Sequence, residues 1–156
     1  MVVQESLQLL FKLVMRKSVL LLYLLAVVSC NGSFGDAPEI AIEQVGPTSV
    51  VQFKDSIYMR ISFYDPNGDL GENLVDENNL FVVDNRLDLT HEYRISNMVP
   101  GGAQVPIQGE LEWTIGGLFL TNTSNQPEDV TYTIYVIDRA GNQSNILTTD
   151  PIEILP

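Results

Sequence analysis

The chain is poor in the residues from which most catalytic and metal centres are built. It has one histidine and one cysteine in 156 residues. A lone His91 cannot by itself supply a zinc site or the base of a Ser-His-Asp system. The lone Cys30 excludes an intramolecular disulfide. Positive charge is equally scarce, with 8 Lys and Arg against 20 Asp and Glu and a net charge of −12 at pH 7. A body this acidic excludes binding of nucleic acid or anionic headgroups through its surface, because both need clustered Lys and Arg. No G-x-S-x-G elbow, Walker loop or dinucleotide fingerprint is present. Beyond residue 38, no segment holds a helical period.

What is present begins with "MRKSVLLLYLLAVVSC", residues 15–30. Arg16 and Lys17 precede an uncharged run from Val19 to Val28, and a small residue, Ser29, stands before Cys30. A basic start, a short apolar run and a small residue at the cut describe a secretory signal peptide. The run of about ten residues is well short of the ~20 that span a bilayer as a helix. A signal beginning at Met15 would be complete, which points to Met15 as the start of translation; the alternative is a long basic region that begins at Met1.

The four residues "VVSC" resemble the lipobox of bacterial lipoproteins, in which an aliphatic and a small residue precede an invariant cysteine. The resemblance implies that residues 1–29 are removed and that Cys30 is lipidated. Several acyl chains at ~0.8 kcal/mol per buried methylene give stable anchoring. It also implies a place in the cell envelope, with the lipid expected in the outer membrane and the domain in the periplasm or on the cell surface. Residues 30–38 then form the lipidated cysteine and a flexible tether, since "NGSFGDAP" has too little apolar content to fold alone. Residues 39–156 form the domain. Beyond Cys30 the chain carries 5 basic residues (Lys54, Arg60, Arg86, Arg94, Arg139) and 19 acidic ones, a net charge of −14.

Within the domain the apolar residues recur with period two. "SIYMRISFY" sets Ile57, Met59, Ile61 and Phe63 against Tyr58, Arg60, Ser62 and Tyr64. "EIAIEQV" brings Ile40, Ile42 and Val45 towards one face before the Gly46-Pro47 break. "SVVQF", "LFVVDN" and "HEYRISNMV" follow, and a turn is expected at Pro100-Gly101-Gly102. "GELEWTI" aligns Leu111, Trp113 and Ile115, with "LFL" as a candidate continuation. "VTYTIYVID" aligns Val130, Tyr132, Ile134 and Val136, and "ILTTDPIEI" closes the chain. Seven to eight short strands between Gly, Pro, Asn and Asp turns predict an all-β sandwich or barrel.

The stretch "PEDVTYTIYVIDRAGNQSN" resembles the last hairpin of immunoglobulin-like and fibronectin type III-like domains. The matching positions are Asp129, Tyr132, Ile134, Val136, Gly141, Asn142 and Ser144. The resemblance implies a single immunoglobulin-like β-sandwich of antiparallel strands. It also implies a structural role for Tyr132, whose hydroxyl would bond back to the chain in a tyrosine corner. Without a cysteine pair, Trp113 is expected to be an ordinary core tryptophan.

The segment "SFYDPNGDLGENLVDENN", residues 62–79, has nine acids and amides in eighteen positions. Asp65, Asn67, Asp69, Asn73 and Asp76 occupy positions 1, 3, 5, 9 and 12 of a twelve-residue frame, the ligand spacing of EF-hand-type calcium loops. The frame resembles that of dockerin modules, which also end in Asp. Leu70 stands where the bend needs Gly, Glu72 stands where those loops are apolar, and the flanks read as strands. An EF-hand is therefore not expected. A non-helical calcium loop is a candidate, with Asp138 joining if the "VIDRAGN" turn lies at the same end. The competing reading is a plain turn in which Pro66 presets φ and Asp65 and Asp69 bond nearby amides.

These readings lead to the expectation of a membrane-anchored, non-catalytic module with a protein or carbohydrate ligand at its end loops, calcium as the one candidate cofactor, and no nucleic acid. The rivals are a small hydrolase using clustered carboxylates and a purely structural spacer. Outward-facing Tyr58, Tyr64, Tyr135 and Ile137 would lie in opposite sheets and form no single patch.

Overall fold

The structure, a computed structural model, describes residues 35–99 and 103–156. The signal segment, Cys30, residues 31–34 of the tether and the turn at residues 100–102 lie outside the described residues. No described residue is helical. The strands are β1 (Glu39–Gly46), β2 (Ser49–Val51), β3 (Ile57–Asp65), β4 (Leu80–Asp84), β5 (Leu89–Tyr93), β6 (Ile107–Ile115), β7 (Glu128–Val130), β8 (Tyr132–Val136), β9 (Leu147–Thr148) and β10 (Ile152–Leu155). They form sheets in the orders β1-β3-β6, β5-β4-β8-β9 and β2-β10-β7. None of the sheets closes on itself. The architecture is an all-β, sandwich-like fold.

Alternation in the sequence becomes alternation in burial. β3 and β8 bury every second side chain, and Ile57, Met59, Ile61, Val82, Val130, Tyr132, Ile134, Val136 and Ile154 are all fully buried in one hydrophobic core. Trp113 belongs to that core, with its ring tilted against Tyr93 at 6.1 Å between centroids. Such aromatic pairs contribute beyond their area. Tyr135 stacks on Phe81 of the neighbouring strand at 5.0 Å, in a different sheet from Tyr58 and Tyr64.

Local chemistry sets the departures from simple alternation. β1 shifts register between Ile42 and Gln44, and this irregularity leaves Ile42 36% exposed while Ile40 stays buried. The expected continuation of β6 through "LFL" does not occur: Gly117 takes φ +70°, the chain turns, and Leu118 reaches the core from outside a strand. "HEYRISNMV" is strand only as far as Tyr93. The long C-terminal strands divide, β7 from β8 at Thr131 and β9 from β10 at residues 149–151, where Pro151 has no N–H to offer a ladder. Thr149 repairs the break by receiving the Tyr132 N–H on its hydroxyl at 3.0 Å.

Register gives the molecule two ends. Glu39, Tyr64 and Gln108 are cross-strand partners at one end of the first sheet, and Ile57 and Ile115 are partners at the other. The tether therefore enters at the end where β3 runs into the acidic loop.

Candidate functional site

At the tether end, three connections are joined by polar side chains, some buried and some partly exposed. They are residues 66–79, 94–99 with 103–106, and 137–146. Asn79 is fully buried immediately before β4. Its side-chain oxygen accepts the Ile95 N–H at 2.7 Å, its N–H bonds Tyr93 O at 3.0 Å, and its carbonyl accepts the Ile137 N–H at 3.0 Å. Asn145 holds the start of β1, accepting the Ile40 N–H at 2.8 Å and donating to Ile40 O at 2.9 Å. Arg139 ties the third connection to the first, its N–H to Asp69 O at 3.2 Å and its guanidinium to Gly71 O. Arg94 donates to the carbonyls of Leu74 and Glu72. The bonds of Asn79 satisfy backbone groups that burial would otherwise leave unpaired.

The acidic frame divides within this setting. Asp65 is fully buried and uses both oxygens on its own loop, accepting from Asn67 N at 3.1 Å and from Leu70 N at 2.6 Å. Leu70, with 1% exposure, is thereby inserted into the core. Gly68 and Gly71 make the bend, since a Cβ on Gly68 would meet Val105 O at 2.1 Å and one on Gly71 would meet Ser96 O at 2.7 Å. Asp138 is buried and receives Asn142 N at 2.7 Å and Asn142 Nδ2 at 3.0 Å. Asp69 lies near both: burial first, then the charges of Asp138 and Asp65, raise its pKa, and Arg139 opposes them. One oxygen of Asp69 is buried without a hydrogen-bond partner.

Asp65, Asp69 and Asp138 are thus brought together. Asn67 is half-buried beside them in the turn. Asn73 and Asp76 lie in the exposed part of the loop, Asn73 bonded to Asn97 at 2.6 Å, and neither has a hydrogen bond to the three aspartates. In the same loop Glu72 has a raised pKa, through burial and then the neighbouring Glu77 carboxyl. Among the described residues, no group of three or more His, Cys, Asp and Glu is arranged to hold a metal ion. As a ligand set, the three aspartates offer only the lone pairs that their hydrogen bonds leave free.

Tyr132 is completely buried, as a core-capping tyrosine should be, but its hydroxyl has no hydrogen-bond partner. The hydrogen bond of a tyrosine corner is absent. Burial, followed by the nearby Asp84 carboxylate, raises the phenol pKa, and Arg86 opposes the rise. Asp84 is committed elsewhere: Arg86 grips both its oxygens, at 3.1 and 2.6 Å, and reaches Glu128 at 3.3 Å and Phe119 O at 3.2 Å. Glu128 in turn anchors the β6–β7 connection, and bonding from the Thr121 hydroxyl above all holds its pKa down at about 2.

An open groove of about 530 Å³ lies on the outer face of the first sheet, between Glu39, Tyr64 and Glu110. Its two carboxylates are exposed, and Glu110 pairs with Arg60 at 3.5 Å. No described helix is long and apolar enough to cross a membrane. Sequence reasoning did not single out Asn79, Asn145, Arg94 or Arg139. The available signal was the Asn-Asn pair at the head of a strand and the Asn that enters the last one. In comparisons with known proteins, no family model matches the chain and no curated protein is significantly similar to it.

Proposed function

We propose that the chain is a lipid-anchored protein of a bacterial cell envelope whose sandwich is a non-catalytic binding or accessory module. The anchor reading rests on "VVSC" behind a short apolar run and on Cys30 being the sole cysteine. An immunoglobulin-like assignment is supported by strand order. With β1, β3 and β6 as A, B and E, and β4, β5, β7/β8 and β9/β10 as C, C′, F and G, the sheets follow the A-B-E and C′-C-F-G orders. The parallel pairing of β2 with β10 then has the first strand changing sheets.

The observation that carries the non-catalytic reading is the open groove, whose two carboxylates stand exposed to solvent. Catalytic carboxylates require desolvation or close pairing to separate their acid and base roles, and Glu39 and Glu110 have neither. The interlocked loops of the tether end favour a fixed scaffold over a mobile lid. Membrane fractionation and mass analysis of the N-terminal peptide test the anchor. The expected result is an acylated Cys30 in the membrane fraction and release of Cys30→Ser into the soluble fraction. An unmodified Cys30 in mature protein would refute it.

A second reading is favoured by one specific observation, the unpartnered buried oxygen of Asp69 between two other aspartates. In this reading Asp65, Asp69 and Asp138 hold a calcium ion that relieves their mutual repulsion. Thermal unfolding in EDTA and in millimolar calcium tests it. A ligand bound only by the folded state raises the midpoint, and superimposed curves would exclude the site.

A further inference from the structure

At the end opposite the tether the chain exposes a contiguous apolar surface. Phe53 is 74% exposed, and its ring stacks on Phe119, itself 38% exposed, at 6.3 Å and 8° between planes. Phe119, Leu87 and Leu89 border one cleft of about 50 Å³, and the two leucines are 40% and 47% exposed. Tyr132 lines the same cleft and brings to it a fully buried side chain whose hydroxyl has no partner. Phe53 stands in the left-handed region at φ 59°, held there by a bond from its N–H to Leu118 O at 2.8 Å. A non-glycine residue in that region costs about 1–3 kcal/mol, and this one presents an aromatic ring to water. Arg86 fixes the surrounding loops through Asp84, Glu128 and Phe119 O. These bonds tie together the loops that carry the patch.

We propose that this tip is a docking surface for a partner protein that presents an apolar centre with a Lys- and Arg-rich rim. The proposal deepens the accessory-module reading and rests on it. β3, at ~3.3 Å per residue, separates the tip from the tether end by about 27 Å. Apolar patches of this kind on a soluble domain mark interaction sites. Charge decides among occupants. Against 19 carboxylates, Arg60 and Arg86 are neutralised in ion pairs and Arg94 and Arg139 point to backbone carbonyls; among the described residues only Lys54, beside Phe53, is an unpaired cation. Asp88, exposed between Leu87 and Leu89, puts a negative charge inside the patch. A second copy and an anionic bilayer are both repelled by such a surface, and a basic rim is attracted.

The test uses the full-length protein in its native membrane with a photo-crosslinking residue at position 53 or 119, and with the exposed tether-end positions 75 and 146 as controls. The expected result is a discrete adduct from the two tip positions only, whose crosslinked peptide is apolar with flanking Lys or Arg. Raising NaCl from about 0.1 to about 1 M, which shortens the Debye length from ~10 to ~3 Å, lowers the yield at least about fivefold. Adducts to a second copy or to lipid, equal yields at positions 75 and 146, or no adduct would overturn the proposal. So would a yield indifferent to salt. Membrane fractionation of Cys30→Ser reports separately on the anchor, so the two readings fail independently.

Discussion

Asp65→Ala separates the two roles that the acidic loop could give this carboxylate. The side chain accepts two backbone N–H groups, from Asn67 and Leu70, and the second bond, at 2.6 Å, is buried. A hydrogen bond to a charged acceptor contributes about 1.5–3 kcal/mol, and a buried donor left unpaired carries its own desolvation cost. Removing Asp65 also relieves Asp69, which offsets part of the loss. The net destabilisation is then about 2–4 kcal/mol. At about 4 °C per kcal/mol for a domain of this size, the melting midpoint falls by about 8–16 °C. The loss should appear in full in EDTA, measured by circular dichroism on protein lacking its signal segment, because the bonds are internal to the chain. Asp65→Asn should recover part of it through one retained acceptor. A midpoint within about 3 °C of wild type in EDTA, with loss of a calcium-dependent rise, would refute the turn-anchor reasoning and make Asp65 a ligand.

Asp69 should respond with the opposite sign. Its folded pKa is raised above the ordinary 3.8, so the folded state binds its proton more readily than the unfolded state. Stability is then lost as pH rises from the unfolded value through the folded one, and stays lower above it. Asp69→Asn should therefore raise the midpoint at pH 7, with a gain that shrinks to nothing below about pH 3.8; a loss at pH 7 without calcium would overturn the repulsion argument. Gly68→Ala places a methyl 2.1 Å from Val105 O at φ +72°. The left-handed penalty alone is about 1–2 kcal/mol and the overlap adds to it, so urea unfolding should show a loss above about 3 kcal/mol. A loss under about 1 kcal/mol would mean that the loop readily rearranges.

The sandwich was legible in the sequence because period two is a statement about which side chains leave water, and β3 and β8 obey it without exception. Ile42 was not, since a register shift in one strand turns a residue outward without altering composition. Nor was the end of β6, where a glycine at positive φ outweighs the apolar "LFL" that follows. The candidate site was half legible. Asp138 was expected to join the acidic loop only if two turns met, and Arg139 N–H on Asp69 O shows that they do. Asn73 and Asp76 satisfied a linear spacing, but EF-hand spacing encodes ligands only when flanking helices curl the loop around the ion. Between strands the same spacing carries them out to solvent. The distal tip gave no signal at all, because Phe53, Phe119, Leu87 and Leu89 are brought together from three connections.

The two ends of the domain meet the same problem with opposite materials. A sandwich must cover the open ends of its core with loops, and loops carry backbone groups that need partners. At the tether end polar side chains pair the loop backbone, while Leu74, Val75, Met98, Val105 and Ile146 stand exposed around them. Leu70 is driven into the core, and Asp65, Asn79, Asn145, Asp138 and Arg139 pair amides and carbonyls of the surrounding connections and of the start of β1. The acidity of that loop follows in part from the need for acceptors facing buried N–H groups, with no ligand required. At the distal end Leu118 enters the core instead, and Arg86 supplies the polar pairing through Asp84 and Glu128. This leaves Tyr132 without a partner and Phe53, Phe119, Leu87 and Leu89 in water. Stability of the isolated domain explains the first arrangement and not the second, since serine at position 53 would preserve every backbone bond there. The unexplained apolar surface, more than the conspicuous acidic loop, is therefore where recognition by this domain should be sought.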